Sequence, residues 1–141
     1  MSFGIVIRGA DTVEKDLAAL TDTTRVKQAV LAGALMIEST AKELIQHSSP
    51  SGRTYTHGSV THVASAPGQP PATDTGQLVS SIQHWESDDG LTIAVGTNLE
   101  TAKYLEYGTT KMQPRPFMNP AVDMNRAEIV ANIKAALVVS K

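Results

Sequence analysis

Residues Asp22 to His47 read DTTRVKQAVLAGALMIESTAKELIQH, and the period of this run decides the fold. Val26, Val30, Gly33, Ile37, Ala41, Leu44 and Ile45 recur at steps of three and four, the spacing of a helix with one buried face. Leu31 and Leu35 widen the apolar stripe to a second flank. One flank is expected to lie on the chain's own sheet. The other is open to two readings, a broader core face or a surface for a partner. Glu38 and Lys42 add a favourable i,i+4 pair.

On the N-terminal side, Phe3, Ile5 and Ile7 alternate with Ser2, Gly4 and Arg8, which predicts a short strand ended by Gly9 and Ala10. Asp11 reads as a helix N-cap, with Glu14 completing a capping box and Val13, Leu17 and Leu20 marking a short helix. On the C-terminal side, Leu78–Glu86 and Leu91–Thr97 read as two strands joined by the tight turn Ser87-Asp88-Asp89-Gly90. Thr101–Tyr107 is a short helix or turn with Tyr104 and Leu105 inward, ended by Gly108. Arg115-Pro116-Phe117-Met118 is expected to be extended. Asn119 then caps a last helix with Pro120 at its first position and Val122, Ile129, Ile133 and Leu137 as its stripe. The order predicts one α+β domain over 1–141. A small, mainly antiparallel sheet packs against the long helix and the C-terminal helix.

Between helix and strands lies a protruding arm, 48–76, opened by the helix stop Ser48-Ser49-Pro50-Ser51-Gly52. Its first part, around His57-Gly58, has the β-propensity and turn chemistry of an exposed hairpin, and Ala66-Pro67-Gly68-Gln69-Pro70-Pro71-Ala72 should be extended. Leu44 to Thr73 contains no acid, while Arg53, His47, His57 and His62 lie within it. An irregular excursion this long inside a domain is usually functional or disordered. Its Tyr, Val and His residues point to ordering on a partner.

The chain has 141 residues, 41% hydrophobic and only 4% aromatic, with no cysteine and a formal charge of −2. Disulfides, thiolate metal sites and cysteine nucleophiles are excluded. The charge gives no bulk reason to bind DNA. No signal peptide is visible, and no stretch approaches the roughly 20 apolar residues of a membrane span. No Walker loop, dinucleotide fingerprint, nucleophile elbow or metalloprotease helix motif is present. His57 and His62 with Asp74 form the one set that merits weighing as a metal or hydrolase site, but their spacing is not diagnostic, and no cofactor or metal is expected. Glu106 has two readings. It is a turn residue beside a positive-φ Gly108, or it pairs with a cation such as Arg53 or Arg115.

Four stretches carry a family likeness. They are Val6-Ile7-Arg8-Gly9-Ala10; Gly52-Arg53-Thr54-Tyr55 with His62 to Ala72, Asp74-Thr75-Gly76-Gln77-Leu78 and Ser81-Ile82; Tyr104-Leu105-Glu106-Tyr107-Gly108-Thr109; and Arg115-Pro116-Phe117-Met118-Asn119-Pro120-Ala121. In this order they resemble the head–tail joining, or tail-completion, proteins of long-tailed phages, a family grouped with minor tail protein Z. The resemblance implies a structural protein of the virion neck rather than an enzyme, assembled in the host cytoplasm. It implies a homo-oligomeric ring, a hexamer, that continues the DNA channel and meets connector or stopper and tail-tube proteins. DNA would pass without sequence-specific binding, and no membrane is involved. A tail terminator or other minor tail subunit is the alternative. A ring needs two different patches per subunit. The arm (Arg53, Tyr55, His57, His62, Pro67, Pro70, Pro71), the second helix flank (Leu31, Leu35) and Glu106 are the expected contact residues.

Overall fold

The computed structural model describes residues 3–8 and 23–137. The elements in chain order are β1 (Phe3–Arg8), α1 (Thr24–Gln46), β2 (Thr54–His57), β3 (Val60–Val63), α2 (Gln77–Ser81), β4 (Gln83–Glu86), β5 (Thr92–Thr97), α3 (Glu100–Tyr107) and α4 (Met118–Leu137). The chain is α+β, as its order of motifs predicts. The capping box at Asp11 and the short helix after it lie outside the described residues.

β5 is the centre of a three-stranded antiparallel sheet in the order β1–β5–β4. Its alternation is that of the sequence: Ile93 and Val95 are buried, and Ile5 of β1 stands opposite Val95. The β4–β5 turn closes through Ser87 N–H to the Thr92 carbonyl and Gly90 N–H to the Ser87 carbonyl, with Gly90 at φ +69. Asp89 accepts the Ser87 hydroxyl and the Leu91 N–H, which hold its carboxyl below the usual aspartate range.

α1 crosses the sheet and buries Val26, Val30, Gly33, Ala34, Ile37, Ala41 and Ile45. It contacts β5 and β4 on one side and α4 along another. α4 covers one side of α1, and the second flank is split between core and surface. Leu31 is partly buried against that core, and Leu35 stays 46% exposed. Asn125 of α4 ties the helices together by donating to Thr40 Oγ1 at 2.8 Å. Glu38 links α1 to the sheet: one oxygen accepts from Lys42 at 2.6 Å, and the other lies 2.6 Å from His84 Nδ1 on β4. Burial opposes ionisation of Glu38. The hydrogen bonds and charges of Lys42 and His84 outweigh it, and the carboxyl sits below its ordinary pKa.

Three local expectations change. Gln77–Ser81 is a short helix, so the strand predicted from Leu78 begins only at Gln83. The Ser80 and Ser81 hydroxyls bond back to the Gln77 and Leu78 carbonyls, which favours a turn of helix over a strand here. In α3 the buried positions are Ala102 and Glu106, while Tyr104 is 42% exposed and donates to Glu100. That bond raises the Tyr104 pKa. Finally, Asn119 is not the cap of α4. The helix starts at Met118, and its first N–H groups are taken by Glu106 from α3.

Candidate interaction site

The arm resolves into a hairpin and a leg that is bound back to the body. β2 and β3 pair antiparallel with Tyr55 opposite His62 and His57 opposite Val60. Gly58 and Ser59 form a two-residue turn with positive φ at Gly58 only (+65), the arrangement of a type II′ hairpin. No residue of either strand is buried, and Tyr55, Val60 and Val63 are 39%, 55% and 38% exposed. The ribbon thus adds nothing to the core and presents apolar surface.

The root of the hairpin is held tightly. Gly52 N–H donates to the Ala64 carbonyl at 2.7 Å, and Ala64 N–H to Arg53 at 2.9 Å. A Cβ on Gly52 would lie 2.6 Å from the Ala64 and Ser65 carbonyl oxygens, so the crossing needs glycine. Gln69 Oε1 gathers Ser51 N–H at 3.3 Å and Ala66 N–H at 2.8 Å. The leg that follows is fastened by Gly68 N–H to the Pro114 carbonyl at 2.9 Å and by Thr73 Oγ1 to the Ile45 carbonyl at the end of α1. Pro67 is exposed, Pro70 half-buried and Pro71 buried.

Asp74 fastens the ribbon itself. The Tyr55 hydroxyl donates to Oδ2 at 3.0 Å, and His62 Nε2 lies 3.2 Å from Oδ1. The two rings stack with centroids 5.6 Å apart. The bond to Asp74 raises the Tyr55 pKa. Of the set weighed for metal, the fold brings His62 and Asp74 together but leaves His57 exposed at the tip with no partner among the described residues. No group of three or more metal-ligating side chains occurs among the described residues.

Glu106 carries neither an ion pair with Arg53 nor one with Arg115. It is 3% exposed, and its carboxylate accepts the N–H groups of Phe117 (2.8 Å), Met118 (2.9 Å) and Asn119 (2.8 Å). A helix start leaves four N–H positions without intrahelical acceptors. At α4 three go to one carboxylate and the next residue, Pro120, has no N–H, so the account closes. The negative charge also faces the positive end of the helix. Gly108 (φ +75) ends α3 as expected; a Cβ there would meet the Met112 oxygen at 2.7 Å. Sequence reading missed this cap because the contact spans eleven to thirteen residues and no local pattern marks it.

Between the hairpin root, α2, α3 and Arg115 opens a cavity of about 220 Å³, lined by Tyr55, His62, Val63, Ser65, Asp74 and Arg115 among others.

Residues 10–108, well over half of the chain, match a family model described as "Bacteriophage HK97-gp10, putative tail-component". The chain belongs to the HK97-gp10-like family. The matched span of this phage tail component includes the whole hairpin, the leg, Glu106 and Gly108. The family agrees with the likeness carried by the motifs. Neither curated proteins nor solved structures gave a significant match. No helix among its described residues is long and apolar enough to cross a membrane.

Proposed function

We propose that this tail component is a non-catalytic subunit of the head–tail junction. It completes the tail by forming a ring, a hexamer by resemblance, that continues the DNA channel between connector and tail tube. The hairpin β2–β3 is the contact element, and it reaches a neighbouring subunit or tail protein with Tyr55, Val60, Val63, Arg53 and His57. The supporting observation is the hairpin's construction: a rigidly rooted ribbon whose side chains are all left outside the core. Ordering cost on binding is low for such a preformed element. Leu35, on the exposed side of α1, supplies a second patch of the kind that head-to-tail contacts require. Pro71 and Glu106 are engaged inside the chain and are left out of the surface.

The test is to replace Thr54–Val63 by Gly-Gly, which joins the paired residues Arg53 and Ala64 directly. The variant should melt close to the parent chain. Phage lacking the parent protein and supplied with the variant should accumulate full heads and unjoined tails. Normal joining with the variant overturns the role of the hairpin. Tails of uncontrolled length would assign the protein to tail termination instead.

A further inference from the structure

Two residues that line the cavity beneath the hairpin carry buried donors with no acceptor among the described residues. Ser65 is 2% exposed, yet its hydroxyl has no hydrogen-bond partner. The Arg115 Nε–H is likewise buried and unpaired. Both residues line the same cavity. Native structures rarely leave buried donors unsatisfied, and where they do, the missing acceptor is commonly a ligand or water.

The charge balance points the same way. Lys42 and Arg115 are the half-buried cations among the described residues. Lys42 is paired with Glu38, while Arg115 has no carboxylate within ion-pair distance among the described residues. The acid lining the cavity, Asp74, is already engaged by Tyr55 and His62. The remaining polar lining, Thr73, Thr75, Thr101 and Gln77, is neutral.

We propose that this cavity is a socket for a carboxylate, an Asp or Glu side chain presented by a protein that docks on the hairpin. A guanidinium takes a planar carboxylate through two parallel hydrogen bonds, and the Ser65 hydroxyl supplies a third donor. A protein-borne group fits better than a free anion because Tyr55 and Val63 line the cavity and are also exposed at its rim. A polypeptide filling the socket covers that apolar rim in the same step, with the buried ion pair at the centre and water excluded around it. This proposal rests on the reading of the hairpin as a contact surface and adds the chemistry of what it contacts.

The experiment uses the whole chain labelled with ¹⁵N. It is titrated at constant ionic strength with the capped tripeptide Val-Glu-Val, with its Gln counterpart, and with sodium acetate. The Arg115 Nε–Hε and Ser65 N–H resonances should shift saturably with the Glu peptide. Binding should be at least fivefold tighter than for the Gln peptide or acetate, and it should be lost in Arg115→Met and weakened in Arg115→Lys. Ser65→Ala, which removes one donor at little cost in volume, should weaken binding without changing the melting temperature. Equal binding of the Gln peptide, or no saturable shift, overturns the socket. Acetate binding as tightly as the peptide overturns the protein source and makes this a free-anion site. The joining assay separates the two readings: if the hairpin replacement blocks joining and Arg115→Met does not, the socket fails while the hairpin's role stands.

Discussion

Gly33 of α1 lies directly beneath Ile129 of α4: a Cβ on Gly33 would stand 2.9 Å from Ile129 Cγ2 and 3.3 Å from Cγ1. The long helix and the last helix therefore pack at a distance that only glycine permits. Helix propensity alone favours Gly33→Ala by about 1 kcal/mol. Overpacking against a branched side chain costs about 1–3 kcal/mol. The clash wins, and the variant should lose about 1 kcal/mol in urea unfolding. Gly33→Ala with Ile129→Ala should lose less than the sum of the two single changes, since the second removes the atoms that the first collides with.

Glu106 is the second prediction. Glu106→Ala leaves three N–H groups at the head of α4 without an acceptor, two of them on the fully buried residues Phe117 and Met118. The expected loss is about 2–4 kcal/mol by denaturant unfolding. Glu106→Gln should lose less, because the amide oxygen can keep the Phe117 and Met118 N–H groups that one carboxylate oxygen accepts, while its NH₂ is turned against the Asn119 N–H. A loss below half a kcal/mol would show that water replaces the carboxylate.

The third concerns acid. Glu38 has a folded pKa below its unfolded value. Its contribution is therefore complete above the ordinary glutamate range and is lost as pH falls through the folded pKa. Thermal melting of the parent chain should fall on acidification below about pH 4.5. Glu38→Gln should melt lower at neutral pH and show a flatter decline in acid. An unchanged acid slope in that variant removes Glu38 as the source.

The fourth concerns base. The Tyr55 pKa is raised by its bond to Asp74. A raised folded pKa means the tie is present below the ordinary tyrosine range and is lost as pH rises through the folded value. NMR of ring-labelled tyrosine should show Tyr55 titrating above a free tyrosine in the parent and near the ordinary value in Asp74→Asn. The same substitution should speed amide exchange across β2–β3 without lowering the global melting temperature.

Much of this was legible in the residues. α1, β5 and the β4–β5 turn follow from strict period or local turn chemistry and form where their patterns lie. The hairpin forms too, but its turn is Gly58-Ser59, one residue beyond the expected His57-Gly58, because His57 pairs with Val60. α2 was hidden because five residues are too few to reveal a helical period, and Leu78 and Val79 with Ile82 read equally well as strand. α3 spans only two turns, so its inward side could not be told from Tyr104 and Leu105 alone. The reach of Glu106 to α4 and of Asp74 to Tyr55 and His62 is set by chain reversal, which no local window contains. The leg after the hairpin read only as extended because its ties, Gln69 to Ser51 and Gly68 to Pro114, are likewise distant in sequence.

The root at Gly52 and Ala64 divides the labour of selection. Everything outward of that crossing can be rewritten, lengthened or exchanged without touching a core residue, whereas the crossing itself tolerates no side chain on Gly52. A lineage adapting to a new neighbour need only edit a detachable ribbon and keep its hinge pin. Relatives should therefore vary most between Thr56 and Thr61, and a ribbon transplanted from one of them should bring its partner preference along.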